Sequence, residues 1–110
     1  MRLLKRRFLK LPQYVPALIT LPEEAGDGWG RLLHLSARGL TLLTLTEVRR
    51  GGELFLTFDL GGARLERVAC RVMRRETDPD GYFVYGLAIL RESDAQKMKD
   101  RLMELLAKQA

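Results

Sequence analysis

The sequence of 110 residues contains one cysteine and one histidine, and this scarcity excludes several kinds of chemistry. Cys70 alone can form no disulfide within the chain, so we expect a reducing, cytoplasmic setting. One histidine and one cysteine cannot supply the three or four ligands of a zinc site. They also give no pair of nucleophile and base, and no matched carboxylate pair accompanies them. We therefore expect a protein that is not an enzyme and carries no metal or cofactor.

Long apolar runs are also missing. No run approaches the roughly 20 residues that a membrane-spanning helix requires. Leu3 and Leu4 are followed at once by Lys5, Arg6 and Arg7, so the apolar core of a signal peptide is absent. The chain has no Walker-type or dinucleotide-binding glycine loop. We therefore expect no membrane-spanning helix and no nucleotide-hydrolysing activity.

Positive charge is concentrated at the start of the chain. The net charge is +5, from 19 basic and 14 acidic residues. Residues 1–10 hold five bases and no acid, so the other hundred residues balance at 14 against 14. A general nucleic-acid binder would spread basic side chains over its body, so we expect no DNA or RNA partner. Residues 1–12 are instead predicted to be a basic, flexible arm that binds an anion.

The body of the chain, residues 13–91, has the pattern of a β protein. Leu54, Leu56, Phe58 and Leu60 alternate with more polar positions, which is the period of a half-buried strand. Turn signals separate six strand-like segments, at residues 16–21, 29–35, 39–45, 53–60, 64–74 and 82–90. Six short strands favour a small antiparallel barrel.

Two residues of the fifth segment break its alternation. Val68, Cys70 and Val72 share one face, whereas Leu65 and Met73 fall on the opposite face of a straight strand. A bulge or bend is therefore predicted within this segment.

The final segment, residues 92–110, has the pattern of an amphipathic helix. Ser93 with Gln96 three residues later matches a capping box, and Asp94 suits the positive end of a helix. The apolar positions follow helical spacing: Ala95, Met98, Leu102, Leu105 and Leu106. We expect this helix to pack on the barrel or to dock on a partner.

The stretch from His34 to Gly39, between two strand-like segments, carries the most informative pattern. In this setting the chain resembles the PilZ domain family, whose motifs are RxxxR near the N-terminus and [DN]xSxxG between the second and third strands. His34-x-Ser36-x-x-Gly39 matches the second motif except at its first position. The segment from Tyr85 to Ile89 is similar to the family's last strand. The resemblance implies a six-stranded antiparallel barrel with a C-terminal helix, and in many members binding of the bacterial messenger cyclic di-GMP.

The first motif can be placed in two registers. Arg2 and Arg6 satisfy RxxxR literally. Arg6 and Lys10 lie at the more family-like distance from the first strand, with Lys10 in place of the second arginine. We favour the later register, and Arg6 belongs to both.

Chemistry explains why these residue types would bind such a ligand. Guanine presents O6 and N7 as paired acceptors for an arginine fork, whereas the lysine at position 10 keeps the charge and loses the fork. The expected Asp or Asn at position 34 would accept from guanine N1–H and N2–H, whereas a neutral histidine offers at most one acceptor. Ser36 can donate to a phosphate oxygen, and Gly39 permits close approach of the backbone. The resemblance and the charge pattern predict these ligand-binding residues: Arg2, Arg6, Arg7, Lys10, His34, Ser36, Arg38 and Gly39.

Three functions remain open from the sequence. The first is a PilZ-type signalling module in which the arginine arm closes over cyclic di-GMP. The second is a degenerate PilZ adaptor that binds no nucleotide and contacts an unidentified protein, through the helix at residues 93–109. The third is an arm over residues 2–11 that lies on anionic lipid, although Pro12 keeps such a helix short. Under the plainest interpretation, His34 caps a strand end, and Ser36 and Gly39 are ordinary turn residues.

Overall fold

The computed structural model of the chain describes residues 9–10, 14–22 and 27–109. These residues form seven strands and one helix. The strands are β1 (Leu9–Lys10), β2 (Pro16–Thr20), β3 (Asp27–Leu35), β4 (Gly39–Thr44), β5 (Glu53–Leu60), β6 (Ala63–Thr77) and β7 (Phe83–Ile89), and the helix is α1 (Glu92–Gln109).

Six of the strands close into an antiparallel barrel. The order around it is β3-β2-β5-β6-β7-β4, and β4 pairs again with β3 to complete the circle. The two-residue β1 lies outside this circle and pairs with the end of β3 that β2 leaves open. The predicted six-stranded barrel with a C-terminal helix is thus confirmed. β3 begins at Asp27, two residues earlier than predicted, and β6 continues to Thr77.

Bulges interrupt the pairing at three places. Against β5, the register of β6 shifts between Leu65 and Val68, where Arg67 adopts a left-handed φ of 50°. Against β7, β6 shifts again between Val72 and Arg74. The bend predicted from Leu65 and Met73 is therefore confirmed, because Leu65 is buried and Met73 is 56% exposed. The third shift lies in β3, between Leu32 and His34.

The core fills the barrel with side chains from alternate positions of every long strand. β4 and β7 show the pattern clearly, since buried residues alternate with half-buried ones along both. Cys70 belongs to this core and is fully buried, as its neighbours Val68 and Val72 predict. Tyr85 is the largest fully buried side chain, and its hydroxyl donates to Thr46 O at 2.7 Å and accepts from Val48 N–H at 2.7 Å.

The helix α1 covers part of the barrel through one face. Ala95, Met98 and Leu102 are buried in the core, whereas Met103 is 62% exposed. The buried carboxylate of Asp94 accepts from the backbone N–H of Ala69 at 3.4 Å, which ties the first turn of the helix to β6. Of the two predicted roles for this helix, packing on the barrel is therefore present.

The predicted N-cap of the helix, Ser93, is wrong by two residues, because Arg91 precedes the first helical residue. The first helical hydrogen bond runs from Ala95 N–H to Arg91 O at 3.0 Å, so the helix begins at Glu92 and already contains Ser93. The Gln96 side chain donates to Asp100 at 3.0 Å and takes no part in a capping box. The buried Asp94 sets this start, since its bond to Ala69 fixes the first turn. Within the described residues, no helix is long and apolar enough to cross a membrane.

Met98 and Met103 provide a matched test of how much the helix contributes to stability. Met98→Ala should lower the free energy of unfolding by about 2–5 kcal/mol, because it leaves a cavity in the core. Met103→Ala, on the same helix but exposed, should change it by no more than about 0.5 kcal/mol. Urea unfolding followed by circular dichroism measures both. Equal effects of the two variants would contradict the packing of α1 on the barrel.

Candidate functional site

The connection from β3 to β4 is a tight turn that Ser36 and Gly39 close. The backbone N–H of Ser36 donates to Gly39 O at 2.9 Å, and the Ser36 hydroxyl approaches the same oxygen at 3.3 Å. Ser36 is half-buried. In this structure its hydroxyl thus stabilises the turn, and it would have to rotate away from Gly39 O to donate to a phosphate.

The turn packs against β7 at close range. A Cβ atom on Gly39 would lie 3.0 Å from Leu87 O, so a larger residue would push the two strands apart. The backbone N–H of Ile89 donates to Arg38 O at 3.0 Å, which fixes the other side of the turn. Gly39 therefore meets the close-approach requirement that its motif position predicts.

Arg38 points away from the turn to the start of the helix. Its guanidinium forms a two-pronged contact with the Glu92 carboxylate, at 2.9 Å and 3.3 Å. Both side chains are more than two-thirds exposed, at 68% and 79%. An ion pair this exposed contributes at most about 1 kcal/mol, so an anionic ligand could compete for Arg38.

His34 lies on the outer face of the barrel because of the bulge in β3. Leu32 and Leu35 are both buried, so the two residues between them turn outward. His34 pairs with Thr41 on β4, and Thr41 pairs with Gly86 on β7. Gly86 in turn pairs with Arg74 on β6. These four positions form a cross-strand row on the outer surface, here called the His34 row.

The N-terminal segment reaches this row. In β1, Lys10 pairs with His34 and Leu9 pairs with Leu35. The backbone of Leu9 and Lys10 therefore runs alongside the motif.

Of the residues predicted to bind a ligand, the structure brings five to one end of β3. Those five are Lys10 (by its backbone position), His34, Ser36, Arg38 and Gly39. Arg2, Arg6 and Arg7 lie outside the described residues. Arg74 is not among the residues predicted from the sequence, although the misplaced Met73 next to it indicated the bulge that brings it into the row.

Cys70 has none of the features of a reactive thiol. It is fully buried, and its Sγ approaches Val68 O at 3.6 Å. Burial, and to a smaller degree the nearby Asp94 carboxylate, raises the pKa of Cys70 to about 12. The thiol is thus protonated at neutral pH. In the described part of the chain, no group of three or more His, Cys, Asp or Glu residues could hold a metal ion.

Comparison with known proteins settles the family. The sequence matches the PilZ domain over residues 4–108. The chain is a PilZ domain. PilZ domains are typically non-catalytic modules that bind cyclic di-GMP. No curated protein matches this sequence.

Solved structures of several proteins share its fold. YcgR from Escherichia coli in complex with c-di-GMP superposes with a TM-score of 0.74 at 14% identity, over 94% of this chain and 47% of that one. The PilZ domain of the same protein with c-di-GMP gives 0.70 at 15% identity, over 94% and 93%. MrkH of K. pneumonia in its apo state gives 0.75 at 13% identity, over 94% and 51%. This PilZ domain therefore spans about half the length of full YcgR and MrkH.

The raised pKa of Cys70 predicts how the thiol responds to pH. Iodoacetamide at pH 8.5 should modify the native protein far more slowly than the urea-unfolded protein, as followed by mass spectrometry. The unfolded thiol ionises near its ordinary pKa of 9.0, below the folded value. The stability that the folded thiol contributes is therefore complete below pH 9 and is lost as the pH rises towards 12. Equal modification rates in the two states would contradict its burial.

Proposed function

We propose that this PilZ domain is a receptor module for cyclic di-GMP, which binds on the outer face of the barrel beside the turn from Ser36 to Gly39. The pairing of Lys10 with His34 carries the proposal, because it brings the basic N-terminal segment to the motif that would hold the ligand. The fold shared with YcgR, whose structure contains c-di-GMP, supports it.

Each part of the ligand finds a suitable group in this arrangement. The two phosphates carry the negative charge, which suits the Ser36 hydroxyl, the Arg38 guanidinium and the bases of residues 1–10. The guanines present O6 and N7, which an arginine fork such as that of Arg6 meets with two hydrogen bonds. Arg2 and Arg7 would add charge or a second fork from the same arm.

Two substitutions should weaken the complex relative to a full motif. His34 stands where the motif has an acidic or amide side chain, which would accept hydrogen bonds from guanine. Lys10 stands where the motif has an arginine, whose planar fork could donate two hydrogen bonds. Each good two-pronged contact to a base is worth about 1–3 kcal/mol, so each loss costs roughly tenfold to more than a hundredfold in affinity. Micromolar binding is a reasonable expectation.

This proposal assigns a role to each of the three segments of the chain. Residues 1–12 act as the arm that folds over the nucleotide, residues 13–91 as the barrel that presents the motif, and residues 92–110 as the helix that packs on the barrel or on a partner. Ordering of a basic arm over a bound anion would change the surface that the module shows to a protein partner.

Exposed apolar surface favours a second candidate, an adaptor that needs no nucleotide. Met103 and Leu106 lie on the outer side of α1 and are 62% and 39% exposed. Separately, a groove of about 390 Å³ on the barrel is lined in part by exposed Tyr14 and Trp29. Apolar side chains exposed in this way are typical of surfaces that contact another protein.

Calorimetric titration of the full chain with cyclic di-GMP tests the receptor directly. The wild-type protein should bind in the micromolar range. Arg6→Ala should weaken binding tenfold or more, because it removes a fork in either register of the first motif. His34→Asp should strengthen binding, because it restores the acceptor for guanine N1–H and N2–H.

Arg64→Ala is the matched control for Arg6→Ala, because Arg64 is exposed at the hairpin between β5 and β6, where it pairs with Asp59. It should leave the dissociation constant unchanged. Absence of heat at high micromolar nucleotide would reject the receptor and leave the adaptor. Unchanged binding in both Arg6→Ala and His34→Asp would place the ligand elsewhere on the protein.

The ion pair between Arg38 and Glu92 should restrain the site. Glu92→Gln should raise the affinity for cyclic di-GMP severalfold, because Arg38 no longer has to leave a carboxylate to reach a phosphate. Glu104→Gln is the control, since it also breaks an arginine pair on α1, with Arg101, and removes the same charge. Equal affinity in the two variants would show that Arg38 does not contact the ligand.

A further inference from the structure

The guanidinium of Arg74 occupies the space that a side chain at position 86 would fill. A Cβ atom built on Gly86 would lie 3.3 Å from Arg74 Nη2 and 3.4 Å from its Nε. The arginine thus lies across β7 in the direction of β4. Gly86 thus lets the guanidinium lie this close to β7, and a methyl group there would push it away by a few tenths of an ångström.

Arg74 also differs from its neighbours in having no partner among the described residues. Arg71 and Arg75, on the same strand, pair with Glu53 at 2.6 Å and Glu47 at 2.7 Å. Arg74 forms no hydrogen bond or ion pair with any residue that the structure describes. Its five donors are therefore available to a ligand without the cost of breaking an ion pair.

The register places Arg74 in the His34 row. The row runs from His34 through Thr41 and Gly86 to Arg74, and it continues on the other side to Lys10. Three inter-strand steps of about 4.8 Å separate His34 from Arg74, roughly 14 Å between backbones. Because the Arg74 side chain turns back over Gly86, its donors lie closer to His34 than that.

Two bulges turn the side chains at the ends of this row, His34 and Arg74, outward. In β3 the extra residue precedes His34, and in β6 it is Met73, next to Arg74. Without the second bulge, strand alternation would turn Arg74 inward after the buried Val72. Instead Arg75 takes the inward position, opposite Tyr85 and with its guanidinium 4.6 Å from the Phe83 ring. Bulges frequently re-aim side chains beside functional sites, and here one lies at each end of the row.

We propose that Arg74 is a further ligand-contacting residue of this domain, and that its guanidinium donates to the O6 and N7 edge of a guanine. This inference rests on the proposed function, since it names an additional contact for the same ligand. Arg74 would supply from β6 the fork that Lys10 cannot supply from β1. It would discriminate among purines, because adenine offers N7 as an acceptor but an amino donor in place of O6.

Titration of the full chain with cyclic di-GMP and cyclic di-AMP tests this contact. Arg74→Ala should weaken cyclic di-GMP binding tenfold or more and should affect cyclic di-AMP less, so that the preference for guanine falls. Arg74→Lys should not restore the preference, because it returns the charge without the fork. Gly86→Ala should reduce cyclic di-GMP affinity in the same direction, since the new methyl displaces the guanidinium.

Arg64→Ala is the matched control, on the same strand and with the same loss of charge, but at the hairpin with β5, where it pairs with Asp59. It should leave both affinities unchanged, and thermal unfolding should show that the Arg74 variants remain folded. If wild type binds and Arg74→Ala binds as well as Arg64→Ala, the contact is rejected while the receptor stands. Equal losses of affinity for cyclic di-GMP and cyclic di-AMP would contradict the proposed contact of Arg74 with guanine. No binding by wild type would reject the receptor and the contact together.

Discussion

The arrangement of the site depends on the closure of the sheet through β3, a strand that is hydrogen-bonded along both edges. One edge pairs with β4. The other pairs with β2 as far as Arg31 and then with β1 at His34 and Leu35. Because the pairing with β2 stops at Arg31, the last residues of β3 have an edge open to another strand, and Leu9 and Lys10 of β1 fill it. The pairing of β1 with β3 thus fixes one end of the site, beside the circle of six strands.

Closure also explains why polar and apolar positions are so sharply divided. A closed barrel of six strands has a small interior, which is filled by alternate side chains and by Tyr85, whose hydroxyl is satisfied by backbone groups at Thr46 and Val48. Burial raises the pKa of this tyrosine, so its hydroxyl stays neutral and can both donate and accept. The outward positions are then free to carry charge. α1 seals the remaining apolar surface with Ala95, Met98 and Leu102.

Local patterns were sufficient to predict most of the fold. Strand alternation and turn residues located all six long strands. The misplaced Leu65 and Met73 located both irregularities of β6, because the face on which a strand residue lies is set by its neighbours along the chain. The start of the helix was not predictable in this way. It depends on the contact between Asp94 and Ala69, which are 25 residues apart. β1 has only two residues, too few for any period to show.

The same distinction separates the parts of the site. Ser36 and Gly39 lie in one turn, so their motif spacing identified them, whereas Arg74 joins them only through the pairing of three strands. A single residue, Met73, decides which of two adjacent arginines faces outward and which lines the mouth of the barrel. Deleting Met73 would remove the bulge and leave Arg74 opposite Gly86 and Arg75 opposite Tyr85, whereas straightening β6 with Met73 in place would turn Arg74 inward and Arg75 outward.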